Sequence, residues 1–425
     1  GVHMNHRLNH RPEAYQAWMR IVIHNMAHLS KPQAVVLAMW SFGIAITQSC
    51  GVSTVSAFLA ALLNHSENSV RQRLKEWYKG SQEKWGHKRA QVDVTGSFVP
   101  LVQWILSWWP PEQKRLVLAA DASTLGNRFS LLVISLIYRG CGIPVAWKVL
   151  EANAKGSWQP HWLALLEHLH PAVPEDWWVI LTTDRGLYAK WFYEAIQALH
   201  WHPFMRINHQ GQYQPESTPG FVPLHGVVPQ VGTAWSGRVS CFKTNPLQCT
   251  LLARWDDGYA DPWLIVTDLD PNHAEILWYG MRSWIECVFK DIKRGGLHWH
   301  LTRMRDPQRV ERLWLAIAVA TLWLVSVGGH ADAHLTACSL YAVDGSLYPM
   351  DDPSQSHAPQ PPTRLTSAPI LPSTPTPPQP RVLSCFRRGL LVILATLLKG
   401  DPLPIGGFIP ECFAESTAVP IFSSG

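Results

Sequence analysis

The sequence predicts a mixed α/β core preceded by an all-helical segment and followed by a helical region reached through a linker. Three observations predict it. Residues 114–208 alternate strand-like apolar runs with helical patterns, residues 4–110 carry only helical patterns, and Asp352–Pro380 is dense in Pro, Ser and Thr. The chain has 425 residues, 47% hydrophobic and 16% charged, enough for a sizeable core and two or three domains. Its net charge of +5 is unevenly placed: residues 1–100 hold 11 Lys and Arg against 5 Asp and Glu. A basic leading segment on a neutral body suits a module that binds a polyanion. Eight scattered cysteines without a Cys-x-x-Cys pair suit a reducing compartment. Gly1-Val2-His3 reads as a cloning remnant before Met4, and no secretory signal follows. The apolar runs Ala34–Ile46 and Leu313–Val327 are shorter than the roughly 18 residues that span a bilayer, so both read as buried helices.

The elements follow in order. Pro32–Gln48 begins with a proline suited to a first helical position. Thr54–Leu63 and Ser66–Tyr78 form two helices broken at Asn64-His65, with Ser66 as N-cap. A short helix, a tight turn and a helix rich in Arg, Gln and Asn is the pattern of a helix-turn-helix. Arg71, Arg73 and Lys75 are the candidate DNA contacts. Arg115–Asp121 is an apolar strand ending in an aspartate. Phe129–Tyr138 and Gly142–Leu150 are strands around a turn at Arg139-Gly140, and Ser157–His170 is a helix. Trp177–Asp184 is a second strand ending in an aspartate, followed by a helix over Leu187–Leu199 and a strand over His202–Ile207. Residues 209–275 are strand-like and punctuated by Gly and Pro, and read as an inserted β subdomain. Core residues resume over 276–330, with a helix from Pro307 to Val327. The closing region, 331–425, holds the linker 352–380 and an apolar, partly basic helix over 381–399 that docks on the body or on another subunit.

Between Tyr279 and Lys293 the chain reads Y-x2-R-x3-E-x6-K. On a helix turning about 100° per residue, Tyr279, Arg282, Glu286 and Lys293 fall within roughly 60° of one another. Trp284, Ile285, Val288 and Ile292 fall on the other side. A carboxylate flanked by cations and a phenol, with an apolar back, is fitted to an anionic partner. Phosphodiester chemistry needs an in-line oxygen nucleophile and neutralisation of the phosphate, and two divalent ions supply both. Mg²⁺ takes oxygen ligands, so carboxylates on rigid elements can hold the pair. Asp121, Asp184 and Glu286 are the candidate ligands and catalytic residues, with Asp121 bridging two Mg²⁺ ions and Mn²⁺ able to substitute. Arg282 and Lys293 would grip phosphates and Tyr279 would hydrogen-bond another. Competing acids, among them Asp256, Asp257, Asp261, Asp268, Asp270 and Asp291, lie mostly in polar turns, where solvated or capping roles suit them. An exposed helix with an Arg282–Glu286 ion pair at i,i+4 is the plainer reading of the signature.

The order Asp, Asp, then Y-x2-R-x3-E-x6-K resembles the DDE transposases of bacterial insertion sequences. More narrowly, it resembles the cut-and-paste group whose ribonuclease H-like core is interrupted by a β insertion before the glutamate. The resemblance covers roughly residues 30–330, and Asp121 followed by Ser123 and Asp184 followed by Arg185 suit that group's first two motifs. It implies a homodimer that synapses terminal inverted repeats in double-stranded DNA, nicks the ends, passes through a hairpin and joins 3′-hydroxyls to target DNA. It also implies a tryptophan of the insertion that stacks on a flipped base. Trp235, Trp255 and Trp263 are the candidates, and Trp255 is favoured. A bacterial, cytoplasmic, nucleoid-associated location goes with that family.

Two other classes are carried beside it: a DNA-binding protein descended from a transposase without catalysis, and a nuclease without strand transfer. His200-Trp201-His202 and His298-Trp299-His300 match a His-hydrophobe-His metal pattern. Three residues among 20 histidines make a weak signature, and no tyrosine-bearing helix stands beside either.

Overall fold

The computed structural model describes residues 12–87, 90–335, 381–405 and 407–411. Four helices open the described chain: α1 Glu13–Asn25, α2 Lys31–Thr47, α3 Val52–Leu63 and α4 Glu67–Tyr78. Ser30 caps α2 through a capping box with Gln33, and Ser66 caps α4 by accepting from the Ser69 N–H at 3.2 Å. Asn64 closes α3 in the left-handed conformation, φ 55°, so the expected break at Asn64-His65 is present. A fifth helix, α5 Phe98–Ser107, leads into the sheet.

β1 Arg115–Leu125, β2 Phe129–Tyr138 and β3 Cys141–Glu151 form an antiparallel meander. The β2–β3 turn is Arg139-Gly140, both at positive φ (44° and 77°), which suits a two-residue hairpin. Helix α6 Gln159–Leu169 leads to β4 Trp178–Thr183, and α7 Lys190–Ala198 to β5 His202–Arg206. β4 is parallel to β1, and β5 is parallel to β4. The order β3-β2-β1-β4-β5 with these directions is the mixed unit expected of a ribonuclease H-like core.

Residues 209–275, read from the sequence as an inserted β subdomain, are strand-rich. Their strands are β6 Gln212–Pro215, β7 Val222–Pro223, β8 Thr233–Cys241, β9 Leu247–Trp255 and β10 Trp263–Thr267. β10 pairs antiparallel with β5, so the segment prolongs the core sheet to ten strands rather than forming its own layer. Its buried residues, Leu251, Leu264 and Val266 among them, join the same core as the first five strands.

Strand alternation sorts β1 between two apolar layers. Leu116, Leu118 and Ala120 face the main core, whereas Val117 and Ala119 face a smaller cluster with Ile180, Phe204, Ile265, Trp278, Tyr279, Trp284 and Ile285. That second layer is supplied by a 3-10 turn, Ile276–Ser283, and by α8 Trp284–Ile292. The signature segment is therefore not one continuous helix: its first half is wound more tightly and its second half is α-helical.

The main core is organised on α9 Pro307–Ala333, capped by Asp306 with Pro307 at its first position. Nearly every residue of α9 from Leu313 to Gly329 is buried. It is long and apolar enough to cross a membrane, but it lies inside the protein. The amino-terminal helices share this core instead of making their own. Trp18 stacks on Trp323 with ring centroids 4.4 Å apart, and the Trp77 indole donates to the Arg312 carbonyl at 2.8 Å.

The linker expected over 352–380 lies outside the described residues. Beyond it, α10 Cys385–Lys399 docks on the body against α9. Gly328 and Gly389 let the two backbones meet: a Cβ on Gly328 would strike the Cys385 carbonyl, and one on Gly389 the Leu324 carbonyl. A buried ionic cluster fastens the same region. Asp332 accepts from Arg139 and Arg381, each at 2.9 Å, and Arg381 also pairs with Glu411. Gly328→Ala is expected to force the helices apart and lower stability by about 1–3 kcal/mol. Thermal unfolding together with protease sensitivity of residues 381–411 measures it, and an unchanged midpoint would refute the close crossing.

Candidate active site

The parallel register of β1 on β4 builds the site. Ala120 pairs with Thr183, the last pair of that ladder, so Asp121 and Asp184 come next on adjacent strands. Alternation puts Asp121 on the Val117–Ala119 face and Asp184 on the Ile180 face, both of which α8 and its preceding turn cover. The expectation that both aspartates end strands holds for Asp184, which follows β4. It fails for Asp121, because β1 runs on to Leu125 through its hairpin with β2. What ends at Asp121 is the parallel pairing, and that is the feature that sets it beside Asp184.

Each aspartate is oriented by backbone N–H groups. Asp121 Oδ1 accepts from the Ala122 N–H at 2.8 Å, and Asp184 Oδ1 from those of Gly186 and Leu187 at 2.9 and 3.2 Å. The other oxygen of each faces Arg282. Its Nη2 donates to Asp121 Oδ2 at 2.8 Å and lies 3.6 Å from Asp184 Oδ2, while Nη1 donates to Glu286 Oε1 at 2.7 Å. One guanidinium thus touches all three predicted carboxylates. Among the described residues no group of three His, Cys, Asp or Glu side chains stands close enough to hold a metal ion as arranged. The donor set is nonetheless all carboxylate oxygen gathered around one positive charge, which is the chemistry that suits Mg²⁺.

Burial pushes the Asp121 carboxyl up to about 6, with Arg282 and the Ala122 N–H pulling the other way and Asp184 and Glu286 adding repulsion. Burial opposes the charge on Arg282, yet Tyr279 and the three carboxylates outweigh it and hold its pKa above the ordinary value. On α8, Trp284, Ile285, Val288 and Ile292 are buried and Glu286 is exposed, as the helical pattern predicts.

Other predicted residues land differently. Tyr279 is 4% exposed and packs edge-to-face on Trp263, 5.1 Å between centroids. In a 3-10 turn residues i and i+3 eclipse, which keeps Tyr279 in line with Arg282, but packing on Trp263 holds its ring in the apolar layer instead of on an open face. Burial pushes its phenol up, and its oxygen has no hydrogen-bond partner. Lys293 reaches back to β1, donating to Ser123 Oγ at 2.7 Å and to the Thr124 carbonyl at 3.0 Å. Burial holds its pKa down. Trp255 is half-buried and donates to the Tyr259 carbonyl at 2.9 Å, Trp263 is buried, and Trp235 lies under Gly237. The exposed indoles are Trp85 and Trp158 instead. On α4, Arg73 is exposed, whereas Arg71 and Lys75 are half-buried and Arg71 pairs with Glu67 at 3.7 Å. The two His-x-His candidates are engaged elsewhere, His202 with Asp268 and His298 with the Gln48 carbonyl. Competing acids are likewise committed: Asp261 to Arg185, Asp256 to Arg254, Asp270 to Arg238.

Sequence reading missed Arg206. Met205 pairs with Thr183, so Arg206 stands beside Asp184 as Asp184 stands beside Asp121. It is half-buried, its Nε has no partner, and its charge acts on Tyr279. Only strand pairing reveals it, since nothing local distinguishes it from other arginines.

Residues 112–323, which contain all of these site residues from Asp121 to Lys293, match the family model of the transposase DDE domain and support a DDE transposase. No curated protein matches the chain. Solved structures to which it is similar include a cryo-EM structure of piggyBac transposase synaptic complex with hairpin DNA. That match has 11% identity, covers 83% of this chain and 88% of that one, and has a TM-score of 0.32. Another is a crystal structure of the Mos1 strand transfer complex, at 13% identity, 48% and 60% coverage and a TM-score of 0.16.

The raised Asp121 carboxyl has a signed consequence. Its folded pKa, about 6, lies above the ordinary 3.8, so the folded state holds the extra proton between them. Its contribution to stability is present below pH 4 and is lost as pH rises through 6. In EDTA, Asp121→Asn is expected to remove a fall on the order of 2 kcal/mol between pH 4 and 7. Thermal melts across that range check it, and parallel curves for the two proteins would contradict it.

Proposed function

We propose that this chain is a DNA transposase that cleaves at the terminal inverted repeats of its element and joins the freed 3′-hydroxyls to target DNA. The observation that carries the reading is the convergence of Asp121, Asp184 and Glu286 on Arg282, within the span that matches the transposase DDE domain. When bound, two Mg²⁺ ions would supply a nucleophilic oxygen and neutralise the scissile phosphate. Asp121, Asp184 and Glu286 are the residues that would hold them, with Mn²⁺ as a substitute. Arg282 touches the carboxylates and Arg206 stands beside Asp184 in the strand register, and both would bind phosphate oxygens of the DNA. Lys293 ties the end of the signature helix to β1 and keeps Glu286 over the sheet. Buried Tyr279 braces Arg282 from behind.

Exposed Arg73, with Asn68, Ser69 and Gln72, gives α4 an outer face fitted to DNA. Synapsis as a homodimer, cut-and-paste excision through a hairpin, origin in a bacterial insertion sequence and action on DNA in the cytoplasm complete the proposal.

Incubating the protein with end-sequence DNA, a target plasmid and Mg²⁺ separates the alternatives. Joining supports transposition, nicking without joining marks a nuclease, and binding without nicking marks a silent descendant. Asp121→Ala, Asp184→Ala and Glu286→Ala are each expected to reduce nicking to background and leave DNA binding intact. Retained cleavage in any of them would remove that residue from the ligand set. Arg73→Ala is expected to weaken binding and reduce the salt slope by about 0.9, one phosphate contact on a duplex; an unchanged slope would remove α4 from the interface.

A further inference from the structure

Arg282 is held more closely by the carboxylates than a phosphate-binding residue needs to be. Its side chain is 13% exposed, and its two terminal nitrogens serve Asp121, Asp184 and Glu286 together. The aspartates do not depend on it for their position, because backbone N–H groups hold the opposite oxygen of each. What Arg282 contributes is charge. It neutralises a cluster of three acids and stands where oxygen ligands for a cation converge.

We infer that Arg282 is a built-in counter-ion that competes with divalent metal for the three carboxylates. DNA phosphate releases this block by giving the guanidinium a new bidentate partner. The inference rests on the reading of Asp121, Asp184 and Glu286 as metal ligands and adds a regulation of that site. A guanidinium and a divalent cation cannot share these oxygens without strong repulsion. The fork holds the three carboxylates around itself, Asp121 at 2.8 Å, Asp184 at 3.6 Å and Glu286 at 2.7 Å. A phosphate oxygen pair matches the fork as well as a carboxylate does. Drawing Arg282 towards the DNA backbone would leave two aspartates already oriented and Glu286 free to join them. Metal capture would then be coupled to DNA binding, and by linkage DNA would tighten metal binding by the factor by which metal tightens DNA binding. Such a lock would keep a nuclease centre poorly loaded until its substrate arrives.

The test is a Mn²⁺ titration of the full chain without DNA, followed by the electron paramagnetic resonance signal of free Mn²⁺. Arg282→Gln is expected to bind Mn²⁺ about tenfold tighter than the unaltered protein, and Arg282→Lys, which keeps the charge, to stay within about threefold of it. Adding Asp184→Asn to Arg282→Gln is expected to abolish the gain. Damage to the fold would weaken binding, so tighter binding in Arg282→Gln cannot come from misfolding; a thermal melt of each variant confirms folding. Equal or weaker Mn²⁺ binding by Arg282→Gln, with binding still lost in Asp184→Asn, would overturn the counter-ion lock and leave the ligand reading standing. Arg282→Lys binding as tightly as Arg282→Gln would overturn the role of charge. Mn²⁺ binding indifferent to Asp184→Asn would overturn both the lock and the ligand reading.

Discussion

The register of β1 against β4 is the constraint on which the rest of the site depends. With Ala120 opposite Thr183, the next residue on each strand is an aspartate, and both point to the face covered by the 276–292 segment. A slip of one residue in either strand would turn one aspartate to the opposite face, into the layer packed on α9. The register is strongly determined because both faces are apolar and filled by different partners. Leu116, Leu118 and Ala120 must meet the main core while Val117 and Ala119 meet Trp278, Trp284 and their neighbours. The two acids stand together because the residues before them are unambiguous about which way to face.

Much of this was legible in the sequence, and the parts that were not share a cause. Strand and helix positions from Arg115 to Arg206 follow from apolar alternation and turn residues, and the Ser66 cap and the Arg139-Gly140 hairpin from local chemistry. The carboxylates were legible as residue types, two aspartates closing apolar runs and a glutamate within the signature segment. Whether a partner strand continues was not. β1 passes beyond Asp121 because β2 folds back to pair with Ala122–Leu125, and a window of sequence holds no record of that partner. The same blindness hid Arg206, which matters only through its neighbour across the sheet, and the continuity of 209–275 with the core, which depends on β10 finding β5. The sequence places Tyr279 and Arg282 on one face of an α-helix. The tighter turn keeps them aligned, but Trp263 covers the phenol, and only the packed structure shows it.

The sequence divides into a helical head, an α/β body and a carboxy-terminal helix, and packing blurs that division. α9 serves all three. Trp18 and Phe42 pack on its Trp323, β3 lies along it, and Gly328 receives Gly389 of α10. A head mounted this way cannot swing freely on a linker, since freeing it would expose Trp18, Trp40 and Trp323, all fully buried. The same holds at the other end. Arg139 in the β2–β3 turn and Arg381 at the start of the last segment share Asp332, and removing one partner would strand buried charge. On the proposed reading, DNA held by α4 and DNA held at the carboxylates are referred to one frame, which is what cutting at a fixed distance from a recognised sequence requires.

Glu286 differs from the aspartates in a way that bears on how the site works. The aspartates are fixed by the sheet, and the glutamate arrives on a separate element after the whole stretch from β6 to β10. Its side chain is 58% exposed, against 14% for Asp121 and 36% for Asp184. The apolar back of α8 and the Lys293 contacts with β1 set the helix in place, but among the described residues no backbone turn like that at Asp184 orients the carboxylate itself. Arg282, four residues earlier on the same segment, joins it to the aspartates. Because Arg282 and Glu286 ride together, a pull on the guanidinium from a phosphate acts at the base of the helix that carries the third acid. A site made this way has two carboxylates held by backbone N–H groups and a third, more exposed one whose position follows its helix. On the proposed reading of these acids as metal ligands, the third ligand is the one that the DNA backbone reaches through Arg282.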